Sequence, residues 1–143
     1  MIQLIFKNKY QIVLGLFGIL VIFLQYEGYL YRQRAKFTVA HTYKERWSLK
    51  SGRYVHYKIF VKGREYLGSA DADKFPNIKV KGGRFLAAFD SINPNTNAAF
   101  YELSMPDSIK EAPPVGWENP PLVYAQHKAL SKLKRYPKWE SNK

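Results

Sequence analysis

From Ile12 to Leu24 the chain reads IVLGLFGILVIFL, thirteen consecutive residues without a polar side chain. Flanks broken only by Glu27 extend this run to Tyr10–Tyr31, which is 22 residues, or about 33 Å as a helix. A bilayer core needs roughly 20 such residues, so the pattern predicts a transmembrane helix over 10–31 behind a tail of residues 1–9. Tyrosines near both ends suit the interfacial aromatic belts; Lys7 and Lys9 close one end, and Arg32, Arg34 and Lys36 the other. The sequence after the run, QYEGYLYRQR, has no small-x-small cleavage site, so an uncleaved anchor is the expectation over a cleaved signal peptide. The two lysines of the tail favour keeping it in the cytosol, which puts the rest of the chain on the extracytoplasmic side.

Beyond the anchor the apolar period becomes two. Phe37, Val39, His41 and Tyr43 alternate with Thr38, Ala40 and Thr42, and Val55, Tyr57, Ile59 and Val61 alternate with Tyr54, His56, Lys58 and Phe60. SLKSG (Ser48 to Gly52) reads as the loop between two strands. Pairing positions that sum to 100 sets Tyr43 opposite Tyr57, His41 opposite Ile59 and Val39 opposite Val61. Lys62-Gly63 reads as a two-residue turn, which sets Val61 opposite Arg64, Ile59 opposite Tyr66 and Tyr57 opposite Gly68. Gly63 is expected to be the more demanding turn glycine, because Gly52 sits in a longer loop with slack.

SADADKFPN reads as loop, Ile78 to Val80 as a short strand, RFLAAFD (Arg84 to Asp90) as a strand apolar on both faces, and AAFYEL (Ala98 to Leu103) as the last strand. The fold class is therefore mainly β. Residues 32–105 are expected to form a small five-stranded antiparallel barrel or sandwich of SH3-like or OB-like type. PDSIKEAPPVGWENPP holds five prolines in sixteen residues and makes 106–121 an extended strap. Residues 122–143 form a basic amphipathic helix and tail: Leu122, Ala125, Ala129, Leu133 and Tyr136 make the apolar stripe of a helix running to Pro137.

Charge sharpens this picture. The net charge is +12, with 23 Lys and Arg against 11 Asp and Glu. The excess lies in Arg32 to Arg64 (+9) and Leu122 to Lys143 (+5), while Glu65 to Pro121 carries −3. With no cysteine, disulfides, zinc–thiolate sites and thiol catalysis are excluded. No histidine pair has metal-ligand spacing, and Asp71 and Asp73 read as a solvated turn rather than a calcium loop. No nucleophile elbow, P-loop or dinucleotide fingerprint is present, so neither enzyme activity nor a cofactor is expected. Aromatics and cations do interleave at Tyr54, Lys58, Phe60, Lys62 and Arg64, which form a candidate interaction surface; Lys128, Lys132 and Arg135 add a basic patch on the helix.

GRYVHYKIFVKGREYLGS (Gly52 to Ser69), VKGGRFLAAFDSINPNT (Val80 to Thr96) and PPVGW (Pro113 to Trp117) resemble a pattern found in small, mostly uncharacterised bacterial membrane proteins. These pair one N-terminal anchor with a short β domain. The resemblance implies fold and membrane attachment and transfers no site residues. The expectation is a single-pass, membrane-anchored, non-enzymatic module for protein–protein contact, of accessory or immunity type. The alternative is a binder of anionic polymers or lipid headgroups through the basic membrane-proximal segment and C-terminal helix. Nucleic acid is the least favoured partner of a tethered domain.

Overall fold

The computed structural model describes residues 2–135. Tyr136, Pro137 and Lys138, which figure in the expected helix end and tail, lie outside the described residues. The chain divides into two compact units, Met1–Gln33 and Arg34–Lys143.

The first unit is almost entirely α1 (Ile2–Arg34), so the helix begins well before the apolar run. Ile12, Leu14, Phe17, Ile19, Ile22, Phe23 and Leu24 are exposed on it, so apolar side chains point outward on every side. Among the described residues this one helix is long and apolar enough to cross a membrane, over Lys9–Arg34.

The second unit holds β1 (Ala35–Ser48), β2 (Gly52–Val61), β3 (Arg64–Asp71), β4 (Arg84–Asp90), β5 (Asn97–Ser104) and α2 (Val123–Arg135). The strands make one antiparallel open sheet in the order β3-β2-β1-β4-β5. Its two edge strands are linked by Asn97, whose Nδ2 donates to the Leu67 carbonyl at 3.5 Å.

The β2–β3 ladder has the expected register, with Val61 opposite Arg64, Ile59 opposite Tyr66 and Tyr57 opposite Gly68. Lys62 (φ 52°) and Gly63 (φ 74°) both take the left-handed conformation of a tight hairpin turn. The β1–β2 ladder departs from expectation. Lys44 faces His56 and Trp47 faces Arg53, as the sum of 100 requires, but Thr42 faces Tyr57 and His41 faces Lys58. A bulge at Tyr43 absorbs one residue. Its cause is Thr42, buried on the core side, where its hydroxyl donates to the Lys79 carbonyl at 2.7 Å. Tyr43 is accordingly exposed, and His41 lies on the face away from the core cluster.

One core forms on the sheet face that carries Val55, Tyr57, Ile59, Val61, Phe85, Phe89 and Tyr101. The β3–β4 connection covers it with Ala72, Phe75, Ile78 and Val80. The segment Ile78 to Val80 is thus turn and coil rather than strand, since its apolar side chains cap a sheet instead of extending one. The loop reading of SADADKFPN also began too early, because Ser69 to Asp71 complete β3. On the opposite face Phe37, Val39, Leu86 and Phe100 are buried, so β4 is buried on both faces, as a central strand must be.

In the proline-rich segment, Phe37 and Trp117 exchange both backbone hydrogen bonds at 2.8 Å. The Lys62 N–H donates to the Pro114 carbonyl at 2.7 Å. Gly116 (φ 76°) passes so close to Phe37 and Phe89 that a Cβ would collide with them. On α2, Ala125, Ala129 and Leu133 are buried, and Lys132 pairs with Glu102 of β5.

Candidate functional site

The strands distribute the expected surface residues unequally. Tyr54, Lys58 and Phe60 alternate with the core residues of β2 and share its outer face. Lys62 sits in the turn. Arg64 is opposite Val61 and so belongs to the other side of the sheet, against expectation, because the two-residue turn changes the parity between β2 and β3. Lys128 is exposed on α2, and Lys132 is engaged with Glu102. Arg135 ends the helix. Lys132 lies by a hollow between β3 and β5 that Ala70, Asp71 and Glu102 also line.

The outer face of β1 and β2 holds two ring contacts. His41 meets Phe60 edge-on at 6.1 Å, and Tyr43 meets His56 at 6.3 Å. The Lys58 ammonium lies 5.5 Å from the centre of the Phe60 ring and 3.2 Å from Glu65. Both imidazoles are held below their usual range, His41 chiefly by burial and then by Arg84, with Glu111 opposing and Lys58 adding. For His56 the causes are burial, then Lys44 and Arg46. Two cations that depress a neighbouring histidine mark a positive local potential along β1.

A cleft of about 300 Å³ opens where this face meets the proline-rich segment, lined by Val39, His41, Phe60, Glu111 and Pro114. No sequence pattern points to it, since Glu111 and Pro114 join His41 only through the folding back of that segment.

At the far end of β1 lies a second arrangement. Arg53, nearly buried, donates from Nε to Glu45 at 2.9 Å and from a terminal nitrogen to the Phe75 and Pro76 carbonyls at 3.1 and 3.3 Å. Its guanidinium carbon lies 5.9 Å from the centre of the Trp47 ring. Asp73 accepts the Arg53 backbone N–H at 2.7 Å, and Asp71 accepts the N–H of Asp73, so both carboxylates hold this corner together. Trp47 nevertheless stays 69% exposed, and Leu49 at the hairpin tip is fully exposed. The sum-of-100 register implies the pairing of Trp47 with Arg53, whereas the charge pattern points to β2.

The chain matches no family model, no curated protein and no solved structure.

Proposed function

We propose that the protein is a single-pass, membrane-anchored, non-enzymatic interaction module, of accessory or immunity type, whose β domain contacts a protein partner on the extracytoplasmic side. Supporting the anchor is α1, apolar on every side over a length that matches a bilayer core. The Asn97–Leu67 link between the edge strands supports reading the β domain as a small SH3-like or OB-like barrel, with the proline-rich segment as its strap. The observation that carries the protein contact is the end of the β1–β2 hairpin. Trp47 and Leu49 project there as large apolar side chains, and Trp47, a residue type enriched at interface hot spots, is held over the fixed Arg53.

A photo-crosslinking residue in place of Leu49, in native membranes, tests this. The expected result is a defined protein adduct that survives high salt and is lost in Trp47→Ser. Absence of such an adduct contradicts the reading.

A second reading, binding of an anionic polymer or lipid headgroups, is favoured by the positive potential that Lys44 and Arg46 exert on His56. Binding of that kind weakens steeply with ionic strength, which separates it from an apolar protein contact.

A further inference from the structure

β1 is paired on both sides for only part of its length. Its ladder with β4 runs from Ala35 opposite Asp90 to His41 opposite Arg84. The glycine turn then takes Thr42, whose N–H donates to the Gly83 carbonyl at 2.9 Å and whose carbonyl accepts from Gly82. From Tyr43 to Ser48 the strand continues along β2, but among the described residues no backbone group is bonded to it on the β4 side. Tyr43, Lys44, Glu45, Arg46 and Trp47 are all exposed. The second half of a long strand is therefore an open sheet edge.

Such an edge is a template for another strand, and proteins guard it with charge, bulges or cover. Guarding accounts for Lys44 and Arg46. It does not account for Trp47, because a large apolar side chain at an open edge invites the pairing that guarding prevents, and Leu49 in the adjoining turn adds to it.

The side chains define what fits. Lys44 and Arg46 lie on one face, opposite His56 and Tyr54. Glu45 and Trp47 lie on the other, and Glu45 is already bound to Arg53. A second copy of this chain paired edge to edge would set these cations against each other, which destabilises a cross-strand pair. An incoming strand with carboxylates on the Lys44 and Arg46 face and apolar side chains on the Trp47 face satisfies both.

We infer that the outer half of β1, Tyr43 to Ser48, is a strand-addition site for an extended acidic segment of a partner protein. This rests on the protein-contact reading and specifies its mode. Backbone hydrogen bonds supply the attachment, and alternate side chains supply the selection. Among the described residues no carboxylate pairs with Lys44 or Arg46, which leaves both cations available to an incoming acidic strand.

The test uses the full-length protein in zwitterionic micelles and three peptides: alternating Val and Glu, the same peptide N-methylated at alternate residues, and alternating Val and Lys. The acidic peptide should bind saturably and slow amide exchange across 44–48. The N-methylated and lysine peptides should bind about tenfold or more weakly, since one lacks the donors and the other repeats the charge. The double variant Lys44→Glu, Arg46→Glu should reverse the preference toward the lysine peptide. Equal binding of the N-methylated peptide, unchanged exchange across 44–48, or no binding of the acidic peptide overturns strand addition. If the Leu49 crosslink still forms in that case, the protein-contact reading stands and only its mode is wrong; if both fail, both fall.

Discussion

Arg53 lies beneath Trp47, its guanidinium carbon 5.9 Å from the ring centre, and the same guanidinium ties Glu45 to the carbonyls of Phe75 and Pro76. One nearly buried cation thus joins the end of the hairpin to the loop that roofs the core. Arg53→Ala removes three charge-assisted hydrogen bonds, although the Phe75 carbonyl keeps the Ile78 N–H at 3.1 Å, and should cost about 2 kcal/mol in chemical denaturation. Glu45→Gln should cost under about 1 kcal/mol, because Glu45 is 40% exposed and water replaces its partner.

The turn glycines reverse the ranking expected from loop length. Gly52 (φ 78°) and Gly63 (φ 74°) both occupy the left-handed region. A Cβ on Gly63 meets open space, whereas one on Gly52 collides with the Asp73 carboxylate that accepts the Arg53 N–H. Each Gly→Val substitution should cost about 1–2 kcal/mol for backbone strain. Gly52→Val should melt lower than Gly63→Val, because it also displaces Asp73.

These two glycines show how far the sequence could be read. Alternation in β2 and the Lys62-Gly63 dipeptide specified the β2–β3 register fully, since a tight turn leaves no freedom. The β1–β2 register was legible only from Lys44 outward, because the bulge at Tyr43 answers to a hydrogen bond between Thr42 and Lys79, distant in sequence. Of the surface residues, Tyr54, Lys58 and Phe60 were placed by parity alone. The open edge of β1 was not legible, since it depends on where β4 stops.

The histidines make stability depend on pH in one direction. His41 and His56 both fall below 6.5 in the fold, chiefly through burial. As pH drops through about 6.5, the unfolded chain takes up protons that the folded chain refuses, so stability falls; above it the contribution is flat. Melting temperature should drop between about pH 7.5 and about pH 5.5, and the double variant His41→Gln, His56→Gln should show a smaller drop. An equal drop in both proteins contradicts the assignment.

On α2, Ala125 and Ala129 are fully buried while Leu130 is 45% exposed. Ala129→Leu should destabilise by about 1–3 kcal/mol through overpacking, and Leu130→Ala should leave the melting temperature within error. A helix that lay only on lipid would show the opposite order in micelles.

The anchor should hold the full-length protein in the membrane pellet after carbonate washing, with its Met1-derived mass intact. A soluble form that begins near Tyr29 contradicts an uncleaved anchor.

Because the chain has no cysteine, single-cysteine variants report on accessibility without background. The most direct test of a membrane-anchored module with a protein-binding edge on β1 is the maleimide labelling rate of Lys44→Cys in native membranes and in purified micelles, with Asn95→Cys, in the exposed turn before β5, as reference. The account predicts that Lys44→Cys labels about tenfold or more slowly in native membranes, where the partner covers the edge, while Asn95→Cys labels alike in both. Equal rates for Lys44→Cys in the two settings would contradict it.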